Sequence, residues 1–155
     1  MTQTTTPQQD RRSLTALFVG APPIDLQAAC DADCTRSVDI DIVTDGREAI
    51  RRLTDASSSA TDSERPDLIL LEFGFRLPDG TTLLRAIRSS PRLRTVPVVV
   101  LTTEERDAET VYTHGGNAHV TIPETPETYG DLIGSIEQFW FQWVQYPAES
   151  LYSDR

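Results

Sequence analysis

Residues Pro66–Thr103 read PDLILLEFGFRLPDGTTLLRAIRSSPRLRTVPVVVLTT, and two apolar runs within them decide the fold. Leu68–Phe73 and Val96–Thr102 are almost continuously apolar and rich in Leu, Ile and Val. Such runs suit strands covered on both faces, as in a parallel sheet. Between them, Thr81–Arg88 places Leu83, Leu84 and Ile87 at helical spacing. A strand, a helix and a second strand in this order make a parallel crossover. Pro66 and Pro97 stand at the strand starts, where a missing N–H is tolerated.

The same alternation extends in both directions. Strands are expected at Leu14–Gly20, Val38–Val43 and Ala118–Ile122, and helices at Ile24–Cys34, Arg47–Leu53, Glu104–Thr113 and about Glu127–Val144. Gly115-Gly116 supplies the reversal before the fifth strand. Five βα units predict a five-stranded parallel sheet with helices on both faces, a three-layer α/β/α domain. The stretch Asp55–Arg65 (DASSSATDSER) is too polar to bury and reads as an exposed loop, and residues 1–12 and 147–155 read as tails around one domain at 13–146.

Composition narrows the function. The formal net charge is -10, with fourteen Arg, no Lys and twenty-four Asp and Glu, so the field repels phosphate backbones and anionic lipid. Nucleic acid and membrane surfaces are excluded as expected partners, which leaves another protein. A Lys-free acidic surface fits a salt-rich, halophilic (haloarchaeal) cytoplasm, and a high-GC genome that favours Arg codons accounts for it equally. The N-terminal stretch MTQTTTPQQDRR lacks the apolar run of a secretory signal, so a cytoplasmic location is expected. Cys30 and Cys34 share a helical face without a nearby His or second Cys pair, which reads as packing rather than metal binding.

Pro66–Thr103 resembles, in length and order, the middle of a response-regulator receiver domain of the CheY-like kind. The resemblance extends to VTDGREAIRRL (Val43–Leu53), GGNAHVTIP (Gly115–Pro123) and IEQFW (Ile136–Trp140). It is strongest to stand-alone regulators of the cyanobacterial phytochrome-partner type. It implies a flavodoxin-like (βα)5, doubly wound sheet, a place in two-component phosphorelay signalling, and a sensor histidine kinase or another signalling protein as partner.

The resemblance also implies a phosphorylation rim at the carboxyl ends of the strands, and most of its parts are missing here. The phosphoacceptor position, Asp in the family, is Glu72; the acidic pair that helps hold Mg²⁺ falls on Gly20 and Ala21; the Lys position is Ile122. Asp25 and a backbone carbonyl near Gly74 would be the remaining ligands beside Glu72, too few for the ion. Thr102, followed by Thr103, keeps the phosphoryl-contact position, and His119 takes the position of the switch aromatic, expected as a satisfied structural His rather than a titrating switch. A degenerate, non-enzymatic pseudo-receiver without Mg²⁺ or other cofactor follows. Glu72 is expected to tie loops together more than to mimic a phosphorylated Asp, since Arg76 and Arg106 are the cations left to meet such a mimic.

Two alternatives stand beside this one. The first is a working atypical receiver accepting phosphate at Glu72 or a nearby carboxylate such as Asp79; the second is a flavodoxin-like domain that binds a small ligand. Against the second, the chain has no Ser-His-Asp order, metal-ligand cluster or Gly-rich phosphate loop, and Pro22-Pro23 removes two donors from the first loop. The last helix carries more apolar residues than a stripe facing the sheet requires, so Phe139, Trp140, Phe141, Trp143 and Tyr146 are expected to form a contact or homodimer surface.

Overall fold

A computed structural model describes residues 13–33, 37–59, 65–72, 80–103, 108–122 and 125–146. Five strands, β1 (Leu14–Val19), β2 (Val38–Val43), β3 (Leu68–Glu72), β4 (Val98–Thr102) and β5 (Ala118–Thr121), form one sheet in the order β2-β1-β3-β4-β5. Every pairing is parallel. Helices α1 (Leu26–Asp33), α2 (Gly46–Ser59), α3 (Gly80–Ser89), α4 (Ala108–Thr113) and α5 (Pro126–Ile136) connect or follow the strands, and α5 runs on into a π-helix at Glu137–Trp143. The alternation read from the sequence is the architecture observed.

Alternate residues of the central strands feed two cores. On one face Val19, Leu71 and Val100 meet Leu83, Leu84 and Ile87 of α3 and Val111 of α4. On the other, Phe18, Leu70 and Leu101 meet Leu26 of α1 and Tyr129, Ile133 and Ile136 of α5. Cys30 is buried in this second core, a packing residue as expected, while Cys34 lies outside the described residues.

Helix α2 runs to Ser59, through the first half of the stretch expected to be a loop. Polarity argues against burial, not against helicity; once a helix is nucleated, each added residue gains a hydrogen bond. Residues 60–64 lie outside the described set, as do the expected tails at 1–12 and 147–155. Helix α4 begins at Ala108; residues 104–107 of the expected helix lie outside the described ones.

The last helix departs most from expectation. Its N-terminus is conventional: Thr125 accepts from the Thr128 N–H at 3.3 Å and Pro126 occupies the first turn. Beyond Ile136 the spacing widens to a π-helix, closed by the Val144 N–H donating to the Phe139 carbonyl at 3.1 Å, five residues apart. The wider turn resets the buried stripe, so the core series runs Tyr129, Ile133, Ile136 and then Phe141.

Candidate functional site

In open parallel sheets, functional groups gather beyond the strand carboxyl ends where the strand order reverses. Here that point lies between β1 and β3, which pair from Ala16↔Leu68 to Val19↔Leu71. Gly20 follows β1 and Glu72 ends β3, so the residues that the resemblance expects at the phosphoacceptor and acidic-pair positions are brought together.

Glu72 Oε1 accepts the Ala21 N–H at 3.0 Å. Its side chain lies across Gly20, whose φ of +147° belongs to a region that L side chains rarely adopt. A Cβ placed on Gly20 would stand 2.7 Å from Glu72 Cβ and collide with Oε1 as well. Gly20 and Glu72 therefore fit one another: the glutamate side chain fills space that only a residue without a side chain leaves open.

Asp25, the other carboxylate considered for a cation, caps α1, with Oδ1 accepting the Ala28 N–H at 3.0 Å. Gly20 and Ala21 bring no side-chain oxygen. Among the described residues no group of three or more His, Cys, Asp and Glu is arranged to hold a metal ion. Glu72 and Asp25, the carboxylates described at this rim, each accept a backbone N–H, and among the described residues they do not make a divalent-cation set. Gly74, Arg76, Asp79 and Arg106 lie outside the described residues.

On the other side of the rim, Thr102 ends β4 with 1% of its surface exposed. His119 pairs with Val100 in the β4–β5 register, on the same sheet face as Thr102, and its ring reaches along the strand to the hydroxyl. Thr102 Oγ1 and His119 Nε2 are 2.6 Å apart. The His119 backbone N–H donates to the Tyr112 hydroxyl of α4 at 3.1 Å. His119 is thus hydrogen-bonded through both its ring and its main chain. Ile122, at the Lys-equivalent position, donates its backbone N–H to the Thr102 carbonyl at 2.6 Å and packs its side chain on the second core. It brings apolar surface where the resemblance expects a cation.

Sequence reasoning missed Tyr129. It is 2% exposed, and its hydroxyl has no hydrogen-bond partner among the described residues. Burial first, and the negative charge of Glu72 second, push its phenol above the usual tyrosine range. The only sequence signal was an aromatic residue in a helical stripe, which reads as core. Tyr112 carried no signal, because its bond depends on how α4 lies over the edge strand.

The expected aromatic surface is divided. Phe139 is 56% exposed and meets Trp140 edge-on, with ring centroids 5.4 Å apart. Trp140 and Tyr146 are partly buried against the second core, and the Tyr146 hydroxyl donates to the Trp140 carbonyl. Phe141 is 1% exposed and belongs to the core rather than to any contact surface, because the π-helix turns it inward. The Trp143 side chain lies outside the described residues.

No family model matches the chain. Over 89 residues it is 34% identical to Response regulator Rcp1 of Synechocystis sp., a match covering 56% of this chain and 60% of that protein, so the chain spans little more than half the length of this curated relative. Among solved structures, the phosphorylated cyanobacterial phytochrome response regulator RcpA superposes with a TM-score of 0.76 at 30% identity, over 88% of this chain and 100% of that one. The Mn²⁺-bound form of Rcp1 superposes with a TM-score of 0.74 at 28% identity, over 87% and 99% of the two chains.

Proposed function

The chain belongs to the response-regulator family of receiver domains, and from that premise we propose that it is a pseudo-receiver, a single-domain signalling protein that acts by binding another protein without Mg²⁺-dependent phosphorylation of an aspartate. One observation carries this reading. The Glu72 carboxylate holds the Ala21 N–H and covers Gly20, at the positions where the family's acidic pair would hold the cation. Aspartyl phosphorylation needs a carboxylate nucleophile, a divalent ion and a cation that together offset the charge developing on the phosphoryl group. In this chain the carboxylate is tied to a main-chain N–H, the acidic pair is Gly20-Ala21, and the cation position is Ile122.

On this reading the domain comprises residues 13–146, has no enzymatic activity and works in the cytoplasm. Its partner is a sensor histidine kinase, another signalling protein or a second copy of the chain. The exposed Phe139, flanked by the partly buried Trp140 and Tyr146, supports a contact surface at the last helix.

The competing reading, an atypical but working receiver, draws support from the phosphorylated state of RcpA. Intact-mass spectrometry after incubation with Mg²⁺ and a small acyl phosphate separates the two. The pseudo-receiver reading expects no mass gain in the native chain. A stoichiometric gain of one phosphoryl group that disappears in Glu72→Gln would overturn it and make Glu72 the acceptor.

A further inference from the structure

His119 is partly exposed, so solvent protons reach it, yet Nε2 lies 2.6 Å from a hydroxyl on a residue that is 1% exposed. Within the described residues Nδ1 makes no hydrogen bond, so that nitrogen is open to carry the neutral ring's proton and leave the Nε2 lone pair to Thr102. In the neutral ring carrying its proton on Nδ1, Nε2 is an acceptor and the Thr102 hydroxyl donates to it. A second proton makes both ring nitrogens donors. The bond to Thr102 must then reverse, the hydroxyl turning from donor to acceptor, or break as the ring moves toward solvent. Either change acts on a residue whose backbone N–H is held by Tyr112 of α4, itself 53% exposed.

We propose that His119 is a proton-controlled tie between the carboxyl end of β4 and the exposed face of α4: neutral, it holds Thr102 and Tyr112 in the arrangement observed; protonated, it reorganises both. Among the described residues the ionisable groups around it are few. Tyr112 meets it from α4, with Glu109 one turn earlier on that helix, and His114 lies in the following turn, bonded through Nδ1 to the Thr110 carbonyl at 2.8 Å. Thr102, its contact on β4, does not titrate, and Glu72 ends the next strand of the sheet. The tie holds whether or not the rim accepts phosphate, so its test is independent of the acyl-phosphate experiment.

The chain has two histidines, His114 and His119, and a His114→Gln background leaves His119 as the single imidazole. In that background, NMR would follow the His119 ring nitrogens together with the Thr102 and Tyr112 backbone amides from neutral to weakly acidic pH. The expected result is a neutral ring protonated on Nδ1, and Thr102 and Tyr112 shifts that follow the ring's own midpoint. Thr102→Val should displace that midpoint, and His119→Phe should abolish the amide response. Should Thr102→Val fail to fold, the titration of the Thr102-containing chain decides alone. Thr102 and Tyr112 signals that stay flat while the ring titrates, or that move with a different midpoint, would overturn the proposal.

Discussion

Tyr129 carries an unanswered cost. Its hydroxyl is buried without a hydrogen-bond partner among the described residues, and the Glu72 carboxylate disfavours its ionisation further. Leaving a buried polar group unsatisfied costs on the order of 1–3 kcal/mol, so Tyr129→Phe, which removes the oxygen and keeps the ring, is expected to raise stability by about 1 kcal/mol at neutral pH. Urea unfolding measures it. The sign of the pH dependence follows from the raised phenol: the unfolded chain releases this proton from about pH 10 while the folded chain retains it. Both states hold the proton below that range. Above it the unfolded state binds fewer protons, so stability falls as pH rises, and Tyr129→Phe should flatten that part of the curve. Glu72 shows how far single residues were legible. Its strand-end position, the absent acidic pair at Gly20 and Ala21 and the apolar Ile122 were all readable from sequence. The Ala21 N–H as its partner was not, because that bond depends on β1 and β3 pairing side by side across a long stretch of chain.

Among the elements, the π-helix at Glu137–Trp143 has the largest effect on which surface the domain offers. An α-helical stripe places Leu132, Ile136 and Phe139, or Ile133, Trp140 and Val144, against the sheet. The widened turn instead buries Phe141 and turns Phe139 out. Phe141→Ala is therefore expected to cost about 3–5 kcal/mol, as truncation of a buried aromatic does, whereas Phe139→Ala should stay within about 0.5 kcal/mol of the native chain. Thermal or denaturant unfolding of both variants checks the pair, and equal costs would contradict the turn of the helix. No residue in EQFWFQW announces a π-turn; the hydrogen-bond spacing is decided by how this end of the helix seats on the second core. At the amino ends of β4 and β5, Arg88 joins three segments by donating to the carbonyls of Gly115 at 2.9 Å, Arg94 at 2.8 Å and Val96 at 3.0 Å, and to Asn117 Oδ1 at 2.7 Å. Its side chain lies over Gly115, whose φ of +102° and lack of a Cβ permit the approach. The Gly-Gly reversal was legible in the sequence; the arginine that closes over it was not.

For the whole molecule, two features act at long range. Both outer strands have main-chain groups met by helix side chains: Gln27 of α1 donates to the Val38 carbonyl and accepts from the Ile40 N–H, each at 2.8 Å, and Tyr112 accepts from His119 on β5. Unpaired edge groups invite other strands, and these contacts answer part of that exposure. The net charge of -10 opposes compactness, and surface pairs such as Arg52–Asp41 and Arg51–Glu48 each offset little of it, at most about 1 kcal/mol. Salt screens the repulsion among all the acidic groups as well as these pairs, and the excess of like charge is the larger effect. The melting temperature is therefore expected to rise from about 0.1 M to about 1 M KCl, as the screening length falls from roughly 10 Å to 3 Å; a fall would show that the ion pairs dominate. The order of the strands and helices was determined by sequence alone, apart from the π-turn and the full length of α2, because hydrophobic periodicity and turn residues act within a few positions of themselves. So was the absence of a side-chain carboxylate at Gly20 and Ala21 and of a side-chain cation at Ile122, since a group that a residue lacks is missing in any conformation. Tertiary structure alone decided what the remaining groups do: Glu72 on Ala21, Thr102 on His119, His119 on Tyr112, and Phe141 inside with Phe139 outside. Each of these depends on strand register, or on how a helix is seated against the sheet, and so on the packing of segments that are distant along the chain.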